Sequence, residues 1–327
     1  MPKAVRFHEL GGPDVLKIED VPHRDPESGE VLLKVEAVGL NRAESMFYHG
    51  QYMEKVTPPS GLGYEVVGTV LAVGSGDDTA LVGKRFGTIP GYSMGKYPSL
   101  AEEAVVPVEV LAAVPENFSA VDGAAVWMQY CTAYGALVTF GKVSKGDFVL
   151  ITAASSSVGL AAIQIVKAES GVSIATTRTA AKRDQLLKLG ADHVIVTDDE
   201  DLPARVKEIT GGKGARIVFD PVGGEYVNTL ALATSNGGSI FWYGMLAGTP
   251  TPFPLTAFGR RIAMYGYTFN ELRGTPEWDA MKRYIYDRLA DGTFKPEIAR
   301  TFPFEQTVEA YKYLESNQQI GKVVITL

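Results

Sequence analysis

Hydrophobic and polar positions follow two regimes along this chain. Over residues 1 to about 120 the apolar runs are short or alternating, at 3–7, 16–21, 30–40, 68–73 and 103–107, and clusters of Gly, Pro and Asp separate them. That spacing predicts strands joined by turns, with no periodic helix of useful length among them. The clearest strand delivers Asn41 to its end, followed by Arg42, Ala43 and Glu44. From 119 to 138 the apolar positions turn helical, and strands then alternate with helices. Phe148 opens an apolar strand to 153 with a helix to 167; 172–177 precedes a helix at 182–189, and 193–196 a helix at 202–210. Further strands fall at 216–220, 239–243 and 263–268.

Six apolar strands alternating with helices predict an α/β fold built on a doubly wound parallel sheet. Gly190 after Leu189 reads as a helix-ending glycine, and Gly211 with Gly212 closes the next helix. The tail predicts an amphipathic helix at 275–292, a strand at 301–304, a helix at 307–316 and a last strand at 322–327. That last strand does not extend a parallel sheet easily, which returns the tail to the first domain. The expected division is therefore 1–122 with 269–327, and 123–268.

The first strand of the second domain breaks at small residues, Ala154 to Gly159, and a helix begins at once. Strand, tight turn and helix form the dinucleotide-binding arrangement: free N–H groups and a partial positive charge meet a pyrophosphate. The glycine fingerprint is thinned here. Its positions fall near Ala153, Ser156 and Ser157, and only Gly159 is left, with Val158 before it. Ser155, Ser156 and Ser157 are small enough for close approach and carry hydroxyls for phosphate oxygens. Serines before a helix also serve as its cap, so the turn gains its meaning from the residues after the next strand.

Those residues separate NADH from NADPH. An NADH site places Asp or Glu there for the ribose 2′-hydroxyl, whereas an NADPH site removes that charge and offers cations. This chain has Thr176, Thr177, Arg178, Thr179, Ala180, Ala181, Lys182 and Arg183, with no acid. Arg178, Lys182 and Arg183 surround the start of a helix, where positive charge opposes the dipole. A bound dianionic phosphate accounts for them better than a solvated basic turn, and NADPH is the expected cofactor.

Composition narrows the rest. A net charge of −7 over 327 residues argues against nucleic acid or an anionic membrane surface as partner. The uncharged run 148–166 is long enough to span a bilayer, but its serines and glycine make a poor lipid-facing helix. The first residues carry no apolar signal region, and one cysteine, Cys131, leaves no internal disulfide, as expected of a cytoplasmic protein. With that cysteine and four histidines lacking metal-ligand spacing, no metal site is expected.

Several segments resemble the medium-chain dehydrogenase/reductase superfamily, in its zinc-free quinone oxidoreductase (ζ-crystallin-like) branch. They are Val-Gly-Leu-Asn-Arg-Ala-Glu at 38–44, Pro-Pro-Ser-Gly-Leu-Gly-Tyr-Glu-Val-Val-Gly at 58–68 and Gly-Lys-Arg-Phe at 83–86. Ala-Ala-Ser-Ser-Ser-Val-Gly-Leu-Ala-Ala-Ile-Gln at 153–164, Lys-Leu-Gly-Ala-Asp at 188–192 and Ile-Gly-Lys-Val-Val at 320–324 complete the set. The resemblance covers essentially the whole length and implies a GroES-like catalytic domain beside a Rossmann domain. Zinc-dependent members carry a cysteine near the position of Asn41 and a histidine at that of Tyr64; neither ligand is here. A tyrosine often found near the nicotinamide is Met46.

The resemblance also implies site residues. Asn41 is expected at the nicotinamide ribose, Thr132 and Tyr134 along the cofactor, 219–222 beside the adenosine, and Tyr243, Gly244 and Met245 at the carboxamide. Lys322 is a further candidate for a phosphate contact. The implied reaction is hydride transfer from NADPH to a quinone, an acceptor already electrophilic without a Lewis acid. Tyr52 and Tyr64 are the candidate proton donors, or else walls of a pocket that Phe47, Tyr92 and Met94 shape. The alternatives are reduction of the C=C bond of an enal, enone or 2-haloacrylate, and, outside enzymes, nucleotide sensing or RNA binding. Family members pair through a sheet edge, so a homodimer through 263–268 is expected.

Overall fold

In the computed structural model, which describes residues 1–327, the short runs of the first 120 residues do form strands. The elements in order are β1 (Lys3–Phe7), β2 (Lys17–Asp20), β3 (Glu30–Gly39), α1 (Arg42–Tyr48), β4 (Ser60–Gly61), β5 (Val66–Val73), β6 (Arg85–Thr88), β7 (Glu103–Pro107), β8 (Leu111–Ala113) and α2 (Ala120–Gly123). The alternating part comes next: α3 (Trp127–Tyr134), β9 (Phe148–Ile151), α4 (Ser157–Ala168), β10 (Val172–Thr177), α5 (Arg183–Lys188), β11 (His193–Val196), α6 (Leu202–Ile209), β12 (Ala215–Asp220), α7 (Tyr226–Ala233), β13 (Thr234–Trp242), β14 (Ala263–Gly266) and α8 (Pro276–Ala290). The tail holds β15 (Ile298–Pro303), α9 (Thr307–Glu315) and β16 (Lys322–Thr326).

Two compact units result, Met1–Met128 with Pro296–Leu327, and Gln129–Lys295. In the first, a sheet ordered β15-β16-β3-β5-β6-β8, with β7 also on β3, stands beside a small β2-β1-β4 sheet. The last strand β16 runs antiparallel to β3, pairing Val324 with Gly39 and Ile325 with Val38, so the tail does return to this unit. Val5, Phe7, Leu33, Phe47, Tyr311 and Ile325 are among the side chains that fill its core. The second unit is a six-stranded parallel sheet in the order β11-β10-β9-β12-β13-β14. Its inner strands contribute Leu150, Ile174, Val218 and Ile240 to a dry core, as continuous apolar runs require.

Three differences from the sequence expectation have local causes. Helix α1 carries no visible apolar period because Glu44 and Ser45, both polar, occupy buried positions beside Phe47 and Tyr48. The helix expected at 119–138 is divided into α2 and α3 and ends in a widened turn at Gly135–Phe140. Gly135 sits there against Tyr267, whose hydroxyl would lie 2.0 Å from an added Cβ. Helix α8, expected with the tail, belongs to the second unit. Tyr284 packs tilted on Tyr134 with ring centroids 4.8 Å apart and donates a hydrogen bond to Glu169 at 2.6 Å, and Phe294 stacks at 4.9 Å on Tyr130. The boundaries move accordingly to 128/129 and 295/296.

Gly39 marks a tight contact at the end of β3. A Cβ there would lie 1.8 Å from the carbonyl oxygen of Ala124 and 2.7 Å from Cε of Lys322. Backbone cannot yield as a flexible side chain does, so Gly39→Ala is expected to cost roughly 2–4 kcal/mol of stability. Urea denaturation of the variant checks this, and an unchanged midpoint contradicts it.

Candidate active site

In the second unit, β9 ends and the chain turns at Ala153, whose φ of +46° is the left-handed conformation that glycine serves without cost. Ala153 stands at the expected first glycine of the fingerprint, and its side chain costs of order 1 kcal/mol in that conformation. Ser156 is the N-cap of α4: its hydroxyl accepts from the Gly159 N–H at 3.1 Å. Its oxygen therefore serves the helix first, while Ser157 and Val158 open the first turn. Gly159 keeps the role of the packing glycine, since an added Cβ would lie 2.6 Å from Cα of Ala154.

The basic residues after β10 divide. The Lys182 ammonium donates to the Ser155 hydroxyl at 3.1 Å, which joins the turn to the basic segment. Burial, and then the nearby Arg178 charge, hold the Lys182 amine below its ordinary value. Two cations facing one another around a phosphate turn form an arrangement that an anion relieves. Arg183 points elsewhere, 3.8 Å from Glu200, which also binds Arg205 at 2.8 Å. Thr177 is buried, and its hydroxyl donates to the Thr179 carbonyl at 3.2 Å.

At the end of β12, Asp220 is buried; Thr152 donates to one carboxylate oxygen and the Gly223 N–H to the other at 2.7 Å. Burial raises its affinity for a proton, and these hydrogen bonds oppose the rise. Tyr243 stacks on Phe219 at 4.1 Å, with its hydroxyl buried and without a hydrogen-bond partner. Gly244 lies close on Pro221, while Met245 beyond it is exposed. Thr132 and Tyr134 are nearly buried on α3, where Tyr134 packs on α8.

The first unit contributes a buried polar cluster. Lys322 is 1% exposed, and its ammonium stands 2.6 Å from both Glu65 Oε2 and Asn41 Oδ1. Asn41 Nδ2 donates to the Gly39 carbonyl at 3.0 Å and to Glu65 Oε2 at 3.3 Å, and Glu65 Oε1 accepts the Met128 N–H at 3.1 Å. The carboxamide of Asn41 is thereby oriented, with Oδ1 as its only acceptor. Lys322, a candidate phosphate ligand from its motif, is instead the buried counter-ion of Glu65. Its enclosure leaves the ammonium no open face for a phosphate.

Glu44 lies in the same region, fully buried, with neither carboxylate oxygen hydrogen-bonded. Burial pushes its carboxyl up to about 8, against the pull of Lys322. Tyr52 is half-buried and meets Tyr64 edge to face at 6.3 Å; Tyr64 meets Tyr92 at 5.3 Å. Burial, and then Tyr64, hold the Tyr52 phenol well above its ordinary value, so it stays a hydrogen-bond donor across the neutral range. Phe47, Tyr92 and Met94, expected to shape an acceptor pocket, lie buried within the core. Sequence reasoning passed over Glu44, Glu65 and Asp220 as chemistry; the first two lay inside segments singled out for resemblance alone.

Glu44 makes stability depend on pH. Its carboxyl binds a proton in the folded state up to about pH 8 and in the unfolded chain only below about 4.5. The contribution is therefore fully present below the unfolded value and is lost as pH rises toward the folded one, at about 1 kcal/mol per unit. Glu44→Gln is expected to remove this part of the slope in urea unfolding between pH 5 and 8. An equal slope in both proteins contradicts it.

The geometry has close counterparts. Residues 27–116 match the alcohol dehydrogenase GroES-like domain, and residues 157–285 the zinc-binding dehydrogenase family. A 2-haloacrylate reductase from a Burkholderia species is 30% identical over 99% of this chain and 99% of its own length. Quinone oxidoreductase 1 of Escherichia coli K12 is likewise 30% identical over 99% of both chains. A crystal structure of Escherichia coli quinone oxidoreductase with NADPH superposes with a TM-score of 0.91 at 28% identity, covering 99% of this chain and 100% of that one. No group of three or more His, Cys, Asp or Glu side chains is placed to hold a metal ion here. The chain belongs to the zinc-free quinone oxidoreductase branch of the medium-chain dehydrogenase/reductase superfamily.

Proposed function

We propose that this protein is an NADPH-dependent oxidoreductase that reduces a quinone by hydride transfer without zinc. The observation that carries the reading is the phosphate turn with Arg178 and Lys182 beside it and no acid after β10. The residues fit the cofactor. The turn before α4 offers backbone N–H groups to a pyrophosphate, and Ser155, tied to Lys182, stands at its edge. Arg178 and Lys182 hold the 2′-phosphate; Arg183, drawn to Glu200, contributes less. Asn41 accepts from the nicotinamide ribose through Oδ1. Thr132 and Tyr134 flank the cofactor, and Tyr243, Gly244 and Met245 border its carboxamide.

When bound, the dihydronicotinamide supplies the hydride. Tyr52 donates a hydrogen bond to the acceptor oxygen as negative charge gathers there, with Tyr64 behind it. The same donor pair suits an enolate, and the full-length relative named as a 2-haloacrylate reductase supports C=C reduction as the second reading. With purified, chelator-treated protein, NADPH is expected to be oxidised by benzoquinone or phenanthrenequinone, and slowly by a 2-enal. Turnover of the enal alone favours the second reading. Arg178→Ala with Lys182→Ala is expected to raise KM for NADPH tenfold or more while leaving that for NADH unchanged. A preference of the wild type for NADH contradicts the cofactor assignment.

The protein acts, in this reading, as a cytoplasmic homodimer. The lone cysteine, buried, suits a reducing compartment. Strand β14 is a sheet edge; its Tyr265 is 49% exposed, and Leu255, Phe258 and Phe253 on the preceding segment are 80%, 67% and 54% exposed. An open edge beside apolar side chains is a surface that a second copy covers. Light scattering after gel filtration is expected to give twice the 35.2 kDa chain mass, and Leu255→Asp with Phe258→Asp to give the monomer. A monomeric wild type contradicts this.

A further inference from the structure

Four side chains of the first unit share one buried region: Asn41, Glu44, Glu65 and Lys322 are at most 7% exposed. One carboxyl group, that of Glu65, meets the ammonium directly, and Glu44 lies close enough to feel its charge. Glu65 takes the direct ion pair at 2.6 Å, and Asn41 takes a second proton of the same ammonium, also at 2.6 Å. Glu44 is left with both oxygens unpartnered. A buried carboxylate without donors is costly, whereas a neutral acid is tolerated, so the cluster is balanced only while Glu44 carries a proton. The other titratable groups around Glu44 are Tyr52, Tyr92 and, on α9, Tyr311, all phenols that its charge raises further. None of them is a cation, so Lys322 is the one ammonium a Glu44 carboxylate would draw.

We propose that Glu44 is a positioning residue that sets the orientation of Asn41 through Lys322. As a neutral acid it leaves the ammonium to Asn41 and Glu65; as a carboxylate, its proton released to solvent, it draws the ammonium toward itself. Asn41 Oδ1 then loses its donor, and the carboxamide is held only through its Nδ2 bonds to the Gly39 carbonyl and Glu65. The link from this switch to cofactor binding rests on the proposed contact of Asn41 with the nicotinamide ribose.

Two measurements separate the switch from that contact. The first tracks the side-chain amide resonances of Asn41, assigned by their loss in Asn41→Asp, from pH 6 to 9.5 without cofactor. They are expected to move with a midpoint near pH 8 in the wild type and to stay in place in Glu44→Gln. Glu44→Asp, which keeps the carboxyl, is expected to retain a transition at a displaced midpoint. Constant resonances in the wild type overturn the proposal, and so does an equal transition in Glu44→Gln. The second is the dissociation constant for NADPH, expected to rise about three- to tenfold from pH 7 to 9.5 in the wild type and not in Glu44→Gln. If the amide moves and the NADPH affinity does not, the switch stands and the ribose contact of Asn41 falls.

Discussion

The ion pair between Lys322 and Glu65 is the constraint on which the first unit depends. It fastens the last strand of the chain to the segment entering β5, 257 residues earlier in sequence, with both side chains buried. An isolated charge there would cost several kcal/mol, so each partner requires the other, and the surrounding donors and acceptors must complete the pair. Asn41 and the Met128 N–H do so. Their geometry fixes the turn from β3 into α1, the close passage of Gly39 beneath Ala124, and the direction of the Asn41 carboxamide. A polar cluster thus specifies the shape around it, while the aliphatic core supplies most of the stability.

The second unit solves a different problem, that of bringing backbone close to an anion. Its turn lacks most fingerprint glycines, and the consequences are local. Ala153 adopts the left-handed conformation with a side chain present, Ser156 caps the helix it opens, and only Gly159 is retained where helix and strand touch. Lys182 extends from the neighbouring loop to Ser155 and adds a charge that the usual turn lacks. The second unit thus carries a basic turn at a helix start, and the first a fixed carboxamide beside buried phenols.

Much of this was legible before any coordinates. Short runs rich in apolar and β-branched residues at 148–153, 172–177 and 216–220 specify buried parallel strands, because both faces of such strands are covered. The last strand pointed back to the first unit because it does not extend a parallel sheet easily, and it pairs there with β3. Helix α1 was hidden, since Glu44 and Ser45 occupy buried positions where a periodic helix places apolar residues. Helix α8 was misplaced because its partners, Glu169 and Tyr134, are polar or aromatic contacts that no periodicity encodes. Lys322 read as a phosphate ligand because a lysine in a motif carries no sign of its burial; the pairing with Glu65 exists only in three dimensions.

Hydride transfer by this chain without a metal is the claim on which the functional reading stands. The most direct measurement is single-turnover oxidation of 4-deuterated NADPH by a quinone, with protein exhaustively chelated and its metal content assayed. A primary isotope effect is predicted, with a rate that neither chelation nor added zinc changes. Loss of turnover on chelation, restored by zinc, would contradict it.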